Sequence, residues 1–196
     1  MPFDIAQRLD LDRRILTATA EIVAAGTPDR LDGPTPCGDW TLRDLLGHMV
    51  ASNEGFAAAA AGKPVGGEVW DRLTYEGEPF EAYQESAEAV SAAFEDADPD
   101  ERLDVYGYGM LSLSTSLGMH IVDFVVHGWD VARSIGWTAE FDPELVAAAD
   151  EIMRAFPDRP RPTASFGVKV PVSDGASKLD KLMGFLGRDP GWTPQR

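Results

Sequence analysis

The chain has 196 residues, is 44% apolar, and carries 33 acidic against 17 basic side chains for a net charge of -16. That length and apolar content suit one domain with a sizeable core, over residues 1–196. The acidic balance argues against nucleic acid or an anionic membrane surface as the main partner, because both are bound by positive surfaces.

The N-terminus, Met1-Pro2-Phe3-Asp4, lacks a basic region followed by an apolar run, so no signal peptide is expected. No stretch approaches the ~20 apolar residues of a membrane span. Residues Asp4 to Ala25 read as a first helix, with Ile5, Leu9, Ile15, Leu16, Ile22 and Val23 at helical spacing and Gly26 as its stop. A loop follows from Asp32 to Trp40, punctuated by Gly33, Pro34, Pro36 and Gly38. It holds Cys37, the single cysteine, which excludes an intrachain disulfide and a four-cysteine zinc site. A lone thiol fits a reducing cytoplasm, the location expected here. Lying just before a helix N-terminus, Cys37 has a reading as a nucleophile, against a plainer one as a small packed turn residue.

Thr41 reads as an N-cap, with Asp44 three residues on in a variant of the capping box. This second helix extends to about Ala61, with Leu42, Leu45, Met49 and Phe56 on its apolar side and His48 at the edge of that side. Gly62 to Gly77 is a glycine-rich connection, and Glu81 to Glu95 a third, weakly amphipathic helix. Asp96 to Asp104 reads as an acidic loop and Val105 to Tyr108 as extended. The longest helix is expected from Ser114 to Ile135, then another from Glu144 to Ala155 behind Asp142 and Pro143. Pro157, Pro160 and Pro162 stop it. Phe166 to Val172 reads as a short strand or an extended arm, and Ser177 to Leu186 as a last helix ending at Gly187. The pattern is all-α, a four-helix bundle over about residues 4–136 with a C-terminal extension over about 137–196.

The helix from Ser114 to Ile135 organises the rest. At about 100° per residue, Leu113, Leu117, Phe124, Val131 and Ile135 form one stripe, while Val122, Val125, Val126 and Trp129 cover much of the remainder. A helix so apolar is buried among others. It nevertheless carries His120, Asp123 and His127, and burying such groups is costly unless they are paired or hold a metal. Asp123 and His127 are four apart, so their side chains leave one face about a turn apart, the spacing that lets two ligands grip one ion. A catalytic zinc takes three protein ligands and keeps a position open. Of the three histidines, His48 lies on a different helix, and His48, Asp123 and His127 make a candidate ligand set. His120 competes as a ligand, a group behind the ligands or a general base; pairing within the core is the plainer reading for any of these histidines, with Asp44 available to His48. Asp130 has a reading as an orienting partner of His127 and an equal one at the surface or in a cap. Trp40 and Trp129 read as packing anchors.

Four segments together resemble a known family: Thr35-Pro36-Cys37-Gly38-Asp39-Trp40-Thr41, Leu45-Leu46-Gly47-His48, His127-Gly128-Trp129-Asp130 and Leu186-Gly187-Arg188-Asp189-Pro190. They are similar to the actinobacterial DinB-like proteins, in particular those like the N-terminal domain of mycothiol-dependent maleylpyruvate isomerase. The resemblance runs from about residue 10 to residue 190. It implies an up-down-down-up four-helix bundle with a divalent metal, most commonly zinc and with nickel as the alternative, at one end. It implies His48 as the first ligand and His127 as the last. Asp123 stands where the isomerase branch has a Glu. Being one methylene shorter, Asp123 calls for closer helices or for weaker or water-mediated coordination.

The resemblance further implies a chemistry. A metal with an open position binds a low-molecular-weight thiol, mycothiol as cosubstrate, lowers its pKa and prepares it to attack an electrophilic small molecule in an isomerisation or a transfer. Loops near His48 and Tyr106 to Tyr108 are expected to line the cleft. A homodimer is compatible with this reading. Two alternatives stand beside it: a non-catalytic metal-binding or stress-response protein, and a purely structural bundle whose histidines are packed.

Overall fold

The computed structural model describes residues 3–26, 28–156 and 166–194. Helix α1 (Ile5–Ala24) begins at Asp4, whose carboxylate accepts from the Gln7 N–H while the Gln7 side chain accepts from the Asp4 N–H. Thr41 and Asp44 close the same reciprocal box at the start of α2 (Leu42–Ala60). Asp44 is thereby engaged at the cap. The glycine-rich connection contains a single turn of helix, α3 (Gly67–Trp70). Helix α4 (Pro79–Asp96) starts two residues before the expected Glu81, with proline preset for its first turn.

The segment after α4 differs from expectation. Residues Arg102–Val105 form a strand, β1, paired antiparallel with β2 (Gly109–Ser112), and Arg102 faces Ser112 across the ladder. Thus Asp104 lies in a strand, and Val105 to Tyr108 is a strand end and its turn. Leu103 and Val105 point into the core and their neighbours outward. Four residues are too few for that alternation to stand out in sequence. Ser112 ends the hairpin and caps α5 (Leu113–Ser134) by accepting from the Thr115 N–H. Helices α6 (Pro143–Ala155) and α7 (Lys178–Phe185) follow, capped by Asp142 and Ser177. Pro157, Pro160 and Pro162 lie outside the described residues. Phe166 to Val172 takes the form of an extended arm, whose Val170 N–H donates to the Gly184 carbonyl of α7.

Cross-helix contacts fix the directions. Helix α1 is parallel to α5, since Arg8 bonds the Ser114 carbonyl and Asp12 meets His120. Helix α2 is antiparallel to α5: Asn53 meets His120, Ser52 meets Asp123, and His48 meets His127. Helix α4 is antiparallel to α1, with Arg13 on Glu95 and the Tyr83 hydroxyl on the Leu16 carbonyl. The result is the expected up-down-down-up bundle. Ile15, Leu45, Met49, Val90, Leu117 and Phe124 are wholly buried at its centre, and Ile152, Met183 and Leu186 extend that core under α6 and α7.

One polar chain crosses this core. His120 is fully buried, with Nδ1 2.7 Å from Asp12 Oδ1 and Nε2 3.0 Å from Asn53 Oδ1. The Asn53 amide donates to Ser86 Oγ at 2.9 Å, and Ser86 donates to the Tyr83 carbonyl. The rings of Phe56, Phe94 and Phe124 surround the imidazole with centroids at 5.1, 5.4 and 4.4 Å. The chain thereby ties α1, α2, α4 and α5 together. Buried polar groups of this kind are costly when one partner is lost. Asp12→Ala is expected to lower stability by about 3–5 kcal/mol, the usual cost of breaking a buried pair, read from the urea denaturation midpoint.

Candidate metal centre

Two local features shape the site-bearing parts of α2 and α5. Gly47 lies under the chain at Leu73, where a Cβ would come 2.2 Å from the Leu73 carbonyl; glycine lets that segment cross directly over α2 beside His48. Asp123 and His127 occupy successive turns of α5 on the side facing α2. The three side chains His48, Asp123 and His127 converge so that one ligand atom from each lies within 4.8 Å of the others. His127 Nε2 is 3.4 Å from Asp123 Oδ1. The His48 ring meets the His127 ring edge-on, centroids 5.0 Å apart, and Trp40 packs 5.0 Å from His48. Ser52 Oγ donates to the second oxygen of Asp123 at 3.2 Å. The Asp123 side chain is 33% exposed against 9% for His127, so the set opens on the Asp123 side.

A second layer lies behind His127. Its Nδ1 is 3.0 Å from Asp130 Oδ2, and Asp130 is fully buried. The Cys37 thiol donates to the same Asp130 oxygen at 3.0 Å, and Arg188 Nη2 donates to it at 3.1 Å. This layer fixes which nitrogen of His127 faces forward: with Nδ1 on Asp130, Nε2 is directed to Asp123 and His48.

The charges around the set are tightly coupled. Burial first, and the neighbouring positive charge of His127 second, push the His48 pKa down to about 4, so the imidazole is neutral at pH 7. Burial disfavours the charged form of Asp123, but the charge and hydrogen bond of His127 outweigh it and hold the carboxyl below the usual range. For His127 burial opposes the charged form, and Asp123 and Asp130 overcome that opposition, raising its pKa well above the ordinary value. Burial of Asp130 is likewise overcome by Arg188 and His127, which keep it ionised. Burial, reinforced by the Asp130 charge, pushes the Cys37 thiol up; at neutral pH it is a hydrogen-bond donor to Asp130.

Two imidazoles and a carboxylate with an open side fit a borderline divalent ion such as zinc, and imidazole also suits nickel. His120 stands apart from this set, with both ring nitrogens engaged by Asp12 and Asn53. Tyr106 to Tyr108 lie elsewhere: their hairpin leads into the N-terminus of α5, and the Tyr106 hydroxyl approaches Gly67 beyond the C-terminus of α2. His127 is fourteen residues into α5, roughly 20 Å along the axis from that end. The tyrosines therefore do not line the centre. Sequence reasoning misses Arg188 as a site residue, since no local spacing relates it to Asp130, 58 positions earlier. The Gly187-Arg188-Asp189-Pro190 segment was its one signal.

Fold and site define a class: a helical bundle with a His/carboxylate/His donor set shared between two antiparallel helices. Residues 13–132 match the family described as the mycothiol maleylpyruvate isomerase N-terminal domain, and the chain belongs to that family. It is 29% identical over 178 residues to the uncharacterized protein Rv0738 of Mycobacterium tuberculosis (strain ATCC 25618 / H37Rv), covering 90% of this chain and 94% of that one. The crystal structure of the mycothiol-dependent maleylpyruvate isomerase has a TM-score of 0.62 at 17% identity, covering 75% of this chain and 68% of that one. A mutant of the same isomerase gives 0.61 at 16% identity with the same coverage. Among the described residues, no helix is long and apolar enough to cross a membrane.

Two measurements probe the centre. His48→Ala is expected to lose about one equivalent of zinc while keeping the helical circular dichroism of the parent, with metal content read by atomic emission. A zinc ion at His127 Nε2 would also displace the proton that Asp123 stabilises there. Since His127 is the group with the raised pKa, zinc affinity is expected to rise with pH below that pKa, by about tenfold per unit for one proton released. Chelator competition from pH 6 to 8 and calorimetry in buffers of different ionisation enthalpy check both the slope and the proton count.

Proposed function

We propose that this chain is a divalent-metal-dependent enzyme of small-molecule thiol chemistry, with mycothiol as cosubstrate and an electrophilic small molecule as the second substrate. The reaction is an S-transfer or an isomerisation, and zinc is the preferred metal, with nickel as the alternative. The observation that carries this reading is the convergence of His48, Asp123 and His127 within 4.8 Å, open on one side. The family supplies the thiol: its description names mycothiol.

His48, Asp123 and His127 would hold the ion. A divalent ion held there lowers the pKa of a thiol that binds it, supplying a nucleophile at neutral pH. The chain's own residues do the rest. Burial and the charge beside it keep His48 in the neutral, ligating form. Ser52 fixes one oxygen of Asp123, leaving the other toward His127. Asp130 holds the back of His127. Trp40 packs against His48 and gives that side of the centre an apolar wall.

The test is zinc-loaded protein incubated with mycothiol and two electrophiles, maleylpyruvate for isomerisation and monobromobimane for transfer. Zinc-dependent turnover of either, reduced about 100-fold or more in His48→Ala, supports the reading; removal of one catalytic interaction commonly costs that much. Stoichiometric zinc with neither thiol binding nor turnover would instead favour a non-catalytic metal-binding protein on the same fold. A protein that takes up no zinc, nickel or manganese would return the bundle to a structural role.

A further inference from the structure

The C-terminal arm lies outside residues 13–132, the span that defines the family match, yet one of its side chains reaches the back of the candidate centre. Arg188 is 10% exposed, and its Nη2 bonds the wholly buried carboxylate of Asp130 at 3.1 Å. Asp130 in turn holds His127 Nδ1 at 3.0 Å. The arm is built to aim this residue inward. Just past α7 and its C-cap Leu186, Gly187 has a φ of +88°, open to glycine and strained for other residues, and a Cβ there would come 2.7 Å from the Gly167 backbone. The next residue is Arg188. On its N-terminal side its Nη1 bonds the Leu186 carbonyl at 3.3 Å, and two residues on, Arg133 of α5 donates to the Pro190 carbonyl at 2.6 Å. Both flanks are therefore fixed.

Resting on the metal-centre reading above, we propose that Arg188 is a positioning residue for that centre, acting through Asp130 on His127, and that it couples docking of the C-terminal arm to metal binding. The physical argument concerns the charge of Asp130. A fully buried carboxylate is tolerated when its charge is paired and hydrogen-bonded. Two groups meet it, one on each side: His127 Nδ1 at 3.0 Å and the Arg188 guanidinium, which keeps its charge throughout, at 3.1 Å. Arg188 is thus a fixed positive charge that pairs with Asp130 and holds its carboxylate in place as the acceptor for His127 Nδ1. Without Arg188 that acceptor weakens and the ring is less firmly turned toward Asp123 and His48. Coupling is reciprocal: if the docked arm tightens metal binding by some factor, metal binding tightens arm docking by the same factor.

The experiment uses the full chain and zinc alone as probe. Zinc affinity is measured by chelator competition for the parent, Arg188→Met, Arg188→Lys, Asp130→Asn and the Asp130→Asn, Arg188→Met double variant. Hydrogen exchange of peptides spanning residues 178–190 is followed with and without zinc. Arg188→Met is expected to weaken zinc binding about 10- to 100-fold, the range for partners lying behind a ligating histidine. Arg188→Lys restores part of it, and the double variant binds zinc no more weakly than Asp130→Asn alone. Zinc slows exchange of the arm in the parent and leaves it unchanged in Arg188→Met. The proposal is overturned if Arg188→Met binds zinc within twofold of the parent, if the two losses multiply in the double variant, or if zinc leaves the parent's arm exchange unchanged. Should Arg188→Met fail to fold, the parent's exchange response and the Arg188→Lys affinity decide. A parent that binds no zinc overturns the metal-centre reading itself and this inference with it; a parent that binds zinc with an indifferent arm overturns only the coupling.

Discussion

The candidate centre depends on one buried charge, that of Asp130. Its carboxylate is out of contact with solvent and gathers three groups from distant parts of the chain: the Cys37 thiol from the loop before α2, the His127 imidazole one turn back on α5, and the Arg188 guanidinium from beyond α7. Each partner offsets part of the cost of holding a carboxylate in a low-dielectric interior. Each is also constrained by it. His127 is held by its back nitrogen, the loop carrying Trp40 is drawn in through Cys37, and the arm is drawn in through Arg188. The charge thus decides the orientation of the one residue shared between the front and the back of the centre.

The two histidines of α5 show how neighbours assign roles on a single helix. His120 and His127 are seven residues apart, two turns along nearly the same face. Opposite His120, α1 presents Asp12 and α2 presents Asn53, so both ring nitrogens are engaged and three phenylalanines close around the ring. Opposite His127, α2 presents another imidazole, His48, and the carboxylate at its back comes from α5 itself. One ring is therefore a closed structural link among four helices. The other keeps a nitrogen directed at a neutral imidazole and an ionised carboxylate. The helix supplies spacing alone; the difference lies in what α1 and α2 place across from each turn.

This distinction marks what could be read from the chain. Local signals survived folding almost unchanged: Thr41 with Asp44 forms the expected cap, and the apolar period of α5 locates it to within one residue at each end. The Asp-x-x-x-His spacing placed Asp123 and His127 on one face because that follows from helix geometry alone. Relations across large sequence separations were less legible. Asp12 and His120 are 108 residues apart and Asp130 and Arg188 are 58, and no period connects such pairs. The hairpin is only partly legible: Val105 to Tyr108 reads as extended, but strands of four residues are too short for the pairing of Arg102–Val105 with Gly109–Ser112 to stand out, and no local pattern says that the tyrosines at its tip lie far from His127.

The shorter acid at position 123 raises the question of how a donor set can still close. A glutamate would carry its oxygens one methylene further from the helix. Here the partner helix supplies the third donor: the His48 and His127 rings meet edge-on with centroids 5.0 Å apart. The small residue before His48 belongs to the same economy of space, since Gly47 lets the segment at Leu73 press onto α2 without a Cβ intervening. Ser52, one turn after His48 on α2, then binds the outer oxygen of Asp123 and leaves the inner one 3.4 Å from His127 Nε2. A substitution that moved α2 outward would therefore part His48 from Asp123 and His127 without altering any of the three, and the geometry of the centre depends on helix packing as well as on its ligands.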